Sequence, residues 1–447
     1  MCQSYKEIIS EGTRIVNKMR KSANMFHDAL VPFAERRKIN MKRICFFSIP
    51  LFGHVNYGLK LAKKLQQRGC EIVYYSGSTY KTFIESKGIK FHNYSKEIES
   101  LFCEENSTYN NDYMRHIVPE KMDHLVEWYN FCSHLYKIRE IFMKCDIFKM
   151  KNPDLIIYDS AALWGKDVSE YFKIKSVASC TPYYYPEKYQ KREYSEFVRL
   201  ILQKKYDEAR ASRLVYMLEK SLNGTVIEPL SPTADYRIIY SDKSFQLGSE
   251  YIDDNTFFIG PLIDDEEFDK EEIDIISKDK PNIYISFGSI YNNANIFRKI
   301  VDECRGLDCN FILNIGNNNE ISDFCDLTDN WHVVKRINQI EVLDKVQVFV
   351  SHGGVNSVRE AMYFGVPIVV IPAEGDTLCS ANDIDVCKVG IKISDSRYED
   401  IGKAISEVLN NNEINNNCKE LSKKMKRAGG LEKAIDIVFK VMEGKNA

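Results

Sequence analysis

No apolar run in this chain approaches the roughly 20 residues needed to cross a bilayer; stretches such as Ile368 to Ile371 are far shorter. Nor is there a marked excess of either charge. A net charge of −3 and a pI near 6.3 give no electrostatic case for nucleic acid or an anionic membrane as partner. The thirteen cysteines are an odd set with no C-x-x-C pair, and Cys304 and Cys309, with four residues between them, have no nearby histidine to complete a zinc site. Thiols scattered in this way fit the reduced, mostly buried side chains of a cytoplasmic protein. The N-terminus is charged and lacks the apolar segment of a secretory signal, and the last residues, Glu443 to Ala447, are charged and polar. Residues 1–40 hold a weakly amphipathic pattern from Ser4 to Ala34; they are read as an extension of unknown role, with Met41 as an alternative start.

What is present suits an enzyme of two domains. The 447 residues, 44% hydrophobic and 12% aromatic, suffice for two cores of ordinary size. Ile44 to Ile49 reads as a strand, Val55 to Arg68 as a helix closed by Gly69, and Glu71 to Tyr75 as the next strand. That βαβ spacing specifies a parallel sheet. Pro153 to Asp159 reads as a further strand ending in a carboxylate. Residues 100–150 and 180–235 read as helical and rich in aromatics, among them Tyr109, Trp128, Tyr136, Tyr183, Tyr184 and Tyr185. Most of these suit helix packing and a few suit the lining of a hydrophobic binding pocket. The acidic run Asp264 to Glu272 reads as a solvated linker. A second sheet then begins at Asn282 to Ser289 and continues through Phe311 to Ile315 and Trp331 to Val334. Three Asn-rich runs, 317–319, 410–412 and 415–417, read as surface loops.

The most informative stretch is Ser351-His352-Gly353-Gly354-Val355-Asn356-Ser357-Val358-Arg359-Glu360. A buried strand, Val346 to Val350, precedes it, and a helix, Val358 to Phe364, follows. Strand, glycine turn and helix start together make an anion site, because free amides and the positive end of the helix dipole point the same way. Imidazole, amide and hydroxyl side chains are those wanted around a diphosphate, and Glu360 could accept from ribose hydroxyls. After Gly365-Val366-Pro367 come a strand, Ile368 to Ile371, then Pro372 to Thr377, then Ser380-Ala381-Asn382 opening another helix. Near the other end, Pro50-Leu51-Phe52-Gly53-His54-Val55-Asn56 puts a histidine just after the first strand, where open α/β sheets bind ligands. By itself such a histidine is a helix cap, a surface group or a base. Asp159, in Tyr158-Asp159-Ser160-Ala161, is by itself either a helix N-cap or the partner of that base.

These motifs resemble the family 1 UDP-glycosyltransferases, the GT-B group that includes plant secondary-metabolite and bacterial macrolide glycosyltransferases. The family's H-x-G-x-N-S-x-x-E and G-V-P are matched in full, and Ser286-Phe287-Gly288-Ser289 matches its S-F-G-S. Departures occur at Thr377, where glutamine is usual, at Ser380, where asparagine is usual, at Tyr57 in place of proline after Gly53-His54-Val55-Asn56, and at Arg336 in place of an aromatic. The resemblance spans Met41 to about Met442. It implies an α/β fold of two facing Rossmann-like, doubly wound parallel-sheet domains: acceptor domain 41–247, linker region 248–280, UDP-sugar domain 281–428, and a C-terminal helix in 429–447 returning to the first domain.

The activity it implies is inverting, metal-independent transfer of a hexose, glucose by default, from a UDP-sugar to a hydroxyl of a small, partly hydrophobic acceptor. An alcohol needs a base, here His54, with Asp159 orienting and stabilising the imidazole. Ser289, His352, Gly354, Asn356 and Ser357 would hold the diphosphate and stabilise the leaving group. Glu360 would bind the ribose; Arg336, Ile337 and Gln339 would surround the uracil, the guanidinium stacking on its ring. Asp376 and Thr377 would hold the sugar, whose identity Thr377 leaves open. Neither cofactor nor metal is expected. The D-x-D at Asp383-Ile384-Asp385 lies in an apparent helix and is read as chance. Other readings are a different GT-B enzyme (a UDP-N-acetylglucosamine 2-epimerase or a lipid-linked sugar transferase), a non-catalytic sugar-nucleotide-binding relative, and a two-lobed binding protein.

Overall fold

A computed structural model describes residues 41–103, 134–181, 184, 186, 188, 231–246, 248–263, 274–288, 294–372, 376–393 and 400–444, with the backbone alone at Cys103 and Asp376. The extension 1–40, the acidic run and most of the aromatic segments lie outside these residues.

Two parallel sheets organise the chain. The first comprises β1 (Arg43–Phe47), β2 (Glu71–Ser76), β3 (Lys90–Asn93), β4 (Leu155–Asp159), β5 (Ser176–Cys180), β6 (Tyr236–Ile239) and β7 (Thr256–Phe258), in the order 3-2-1-4-5-6-7. The second comprises β8 (Asn282–Ser286), β9 (Asn310–Asn314), β10 (Trp331–Val334), β11 (Val348–Ser351), β12 (Ile368–Val370) and β13 (Gly390–Lys392), in the order 10-9-8-11-12-13. Both are doubly wound. Their central strands are apolar along their length because helices cover both faces; every residue of β4, β5 and β8 is buried.

The described α-helices include α1 (Phe52–Gln67), α2 (Lys81–Ser86), α3 (Lys96–Cys103), α4 (Trp164–Phe172), α5 (Ala294–Cys304), α6 (Gln339–Leu343), α7 (Val355–Phe364), α8 (Asp376–Val386), α9 (Ile401–Asn410), α10 (Asn412–Arg427) and α11 (Gly430–Met442). None of the described helices is long and apolar enough to cross a membrane.

Several sequence expectations are corrected. α7 begins at Val355 rather than Val358, and α8 at Asp376 rather than Ser380. The run Asn415 to Asn417 is not a loop: it lies inside α10, whose N-cap Asn411 accepts a hydrogen bond from the Ile414 amide at 3.1 Å. A side chain that caps well disguises the helix it starts. The segment 248–280 is not only a linker, for β7 within it closes the edge of the first sheet. Three residues, Thr-Phe-Phe, are too few to show a strand period.

The two halves exchange pieces. α11 inserts Leu431, Ile435, Val438 and Val441 into the core formed by β1, β2 and α1 of the first half. Phe245, just after β6 of the first sheet, sits in the core of the second. Among the described cysteines all ten are free thiols, six of them buried.

Candidate active site

The first sheet reverses its strand order between β1 and β4, the place where such sheets leave a crevice at their C-terminal edge. His54, in the first turn of α1, follows β1; Asp159 is the last residue of β4. Their side chains meet there: His54 Nδ1 lies 2.7 Å from Asp159 Oδ2. The carboxylate is 3% exposed as a residue and the histidine side chain 18% exposed, so one partner is held and the other faces the crevice. Asp159 Oδ1 also accepts from the Ala161 amide at 3.2 Å. The capping role and the histidine-partner role are thus both filled, one by each oxygen. With Nδ1–H directed at the carboxylate, Nε2 is the basic nitrogen of the neutral ring.

The second sheet reverses between β8 and β11, and the same two strand ends carry the corresponding residues. Gly288 follows β8 with φ +66°, and His352 follows β11. A Cβ on Gly288 would stand 3.0 Å from His352 Cε1, and one on Gly354 would stand 2.9 Å from His352 Nε2. The imidazole therefore fits a slot between two glycines, stacked near Phe287 at 6.1 Å. Burial pushes its pKa down to about 4, so it acts as a neutral hydrogen-bonding ring. Positive potential here comes instead from α7, whose N-cap is Gly354 and whose start no side chain caps. Its first-turn amides are of the kind that bind anions.

On the next turn of α7 the side chains are tied together. Gln339 Nε2, at the start of α6, donates to Ser357 Oγ at 3.0 Å and to Glu360 Oε2 at 2.6 Å. Asn338 caps α6 through the Ile340 amide. Arg336 is exposed beyond the end of β10, and Ile337 is half-buried against the second core. Thr377 is 1% exposed in the first turn of α8, with its carbonyl near Gly353. The Asp376 side chain and Ser289 lie outside the described positions. On α8, Asp383 is buried and Asp385 exposed, so the D-x-D carboxylates face opposite ways. The aromatics Tyr136 and Tyr184 pack with the first half, Tyr184 buried and Tyr136 half-buried.

Two contacts were not foreseen from sequence. Asn356 Nδ2 donates to the Gly53 carbonyl at 3.2 Å, and Arg359 Nη1 donates to the Thr181 carbonyl at 2.7 Å. Both reach from α7 to the first half. The one sequence signal was a charged residue, Arg359, between apolar positions Val358 and Ala361.

Two doubly wound sheets, each with a crevice at its switch point, define a two-domain α/β architecture. Comparisons with known proteins agree. Residues 298–430 match the family model for the C-terminal domain of erythromycin biosynthesis protein CIII-like proteins. An uncharacterized UDP-glucosyltransferase of Bacillus subtilis, YojK, is 26% identical over 415 residues, covering 91% of this chain and 98% of the relative. The NDP-glycosyltransferase YjiC of the same organism is 28% identical over 394 residues, covering 88% and 95%. The crystal structure of the calicheamicin glycosyltransferase CalG4 superposes with a TM-score of 0.69 at 20% identity, covering 91% of this chain and 99% of that one. The chain has the GT-B fold and is similar over nearly its whole length to glycosyltransferases.

Proposed function

We propose that the protein transfers a hexose, glucose by default, from a UDP-sugar to a hydroxyl of a small, partly hydrophobic acceptor, with inversion and without a metal. The observation that carries this reading is the 2.7 Å contact between His54 and Asp159 at one switch point, facing an uncapped helix start at the other. The acceptor hydroxyl gives its proton to His54 Nε2 while its oxygen attacks the anomeric carbon from the side opposite UDP. The buried Asp159 carboxylate stabilises the imidazolium that forms.

UDP leaves with its charge on the diphosphate. The α7 amides, the neutral His352 ring, Ser357 and the remaining Asn356 N–H donate to it, and the family resemblance adds Ser289 to these donors. Such prearranged donors stabilise the leaving group in the transition state, and this is why a metal is not required. Glu360, already aligned by Gln339, accepts from the ribose. Uracil lies by Gln339 and Ile337 with the exposed Arg336 over its face. Asp376 and Thr377 take the sugar hydroxyls. The UDP-glucosyltransferase and NDP-glycosyltransferase names of the two Bacillus relatives support the nucleotide-sugar donor.

Calorimetric titration of UDP in the presence of EDTA tests the donor half, beside a His352→Ala variant. Saturable binding that weakens in the variant is expected; binding indifferent to His352 would overturn the assignment. For the base, His54→Ala should lower kcat by about 10²- to 10⁴-fold with UDP affinity unchanged.

A further inference from the structure

α7 touches both sides of the crevice. Its N-terminal end faces the second-half site, yet two of its side chains, Asn356 and Arg359, reach the first half. Three residues apart, they share a helix face. Asn356 grips the carbonyl of Gly53 at 3.2 Å, the residue immediately before His54. The fit is close, since a Cβ on Gly53 would stand 3.0 Å from Asn356 Nδ2. Arg359 grips the carbonyl of Thr181 at 2.7 Å. Thr181 directly follows β5, whose Ser179 pairs with Asp159 of β4 and accepts from the amide of Ser160. One contact therefore holds the backbone beside the histidine, and the other holds the strand end beside its carboxylate.

Both acceptors are backbone carbonyls, so the contacts report backbone position rather than side-chain choice. Arg359 is 2% exposed. A buried guanidinium is costly unless its geometry is well satisfied, and parting of the two halves at this contact would take away the Thr181 carbonyl. The cost of exposing or misplacing that cation makes the closed spacing of the halves a defined one. A transferring sugar must bridge the two crevices for in-line attack, and a misplacement of about 1 Å there can cost about 10²-fold in rate.

We infer that Asn356 and Arg359 form a two-point clamp by which the donor-side helix α7 sets the position of the His54–Asp159 pair, making Arg359 a positioning residue for transfer. The inference rests on the proposed reading of that pair as the base. Arg359 stands one turn beyond the diphosphate donors, so its role separates from donor binding.

The test uses the full chain with Arg359→Met and Arg359→Lys. In Arg359→Met, UDP affinity by calorimetry should stay within about threefold of the parent, while kcat for transfer falls about 10- to 100-fold. The ratio of UDP-sugar hydrolysis to transfer should rise, because water tolerates a displaced base better than a bound acceptor does. Arg359→Lys, which can still donate to one carbonyl, should recover part of the loss; it also serves if the methionine variant melts early. Small-angle scattering should show a larger radius of gyration for Arg359→Met. A loss of UDP affinity in proportion to kcat, or unchanged kcat with unchanged scattering, would overturn the clamp. If the parent transfers no sugar, the base reading fails, and scattering alone decides: equal dimensions for parent and Arg359→Met would sink the clamp independently.

Discussion

His352 shows at the scale of one residue how surroundings choose chemistry. Its ring lies between Gly288 and Gly354, where added Cβ atoms would come within 3.0 and 2.9 Å. Gly354→Ala should therefore displace the ring or the loop at a cost of roughly 1–3 kcal/mol, weakening UDP binding by about 10- to 100-fold; calorimetry reads this directly. Burial also makes His352 a pH-dependent liability to the fold. Its pKa is pushed from 6.5 to about 4, so between those values the unfolded chain binds a proton that the folded chain refuses. Stability contributed by the neutral ring is thus present above about pH 6.5 and lost as pH falls toward 4, by on the order of 3 kcal/mol. Thermal melts from pH 7.5 to 4.5 should fall less steeply for His352→Gln than for the parent. The strand–glycine turn–helix setting of His352 was legible in the sequence, because it is carried by residue types and spacing. What could not be read was that Asp159 serves two partners at once, or that Gln339 ties Ser357 to Glu360 across 18 and 21 positions of sequence.

Elements were legible in kind and less so in extent. β1, β2, β4 and β8 to β11 lie within a few residues of their apolar runs, since strands buried on both faces have to be apolar throughout. Helix starts were placed too late at α7 and α8. In each case polar residues of the first turn, Asn356 and Ser357 or Asp376 and Thr377, looked like loop, yet these types are at home where amides lack partners. α10 shows the same effect more strongly. Its asparagines resemble a surface loop, but Asn411 caps the helix and Asn415 donates back to the Val408 and Asn411 carbonyls. Asn411→Ala should cost about 1 kcal/mol, seen as a lower midpoint in urea unfolding without a change in slope. A variant with unchanged midpoint would show that Asn411 contributes no net capping energy. β7 was missed because three residues carry no period, and only its pairing to β6 defines it.

At the scale of the whole molecule, the halves are joined by more than a tether. α11 lies in the core of the first half although it follows the second in sequence, and Arg68, the C-cap of α1, pairs with Glu432 on α11 at 2.7 Å. Phe245 crosses the other way. Ile435→Ala should cost about 2–5 kcal/mol and lower the melting of the first half; if calorimetric melting leaves that transition unmoved, α11 does not stabilise it. The amino-acid sequence by itself determined the two doubly wound sheets, the placing of His54 and His352 after central strands, and the polar set at the start of α7. These follow from apolar periodicity and from residue types next to strand ends, which are local properties. Only the tertiary structure decided that His54 meets Asp159 over 105 positions, that Arg359 meets Thr181 over 178, and that Asn356 meets Gly53 over 303. Those contacts depend on how two independently wound sheets face one another, and no periodicity along a chain encodes the relative placement of distant surfaces.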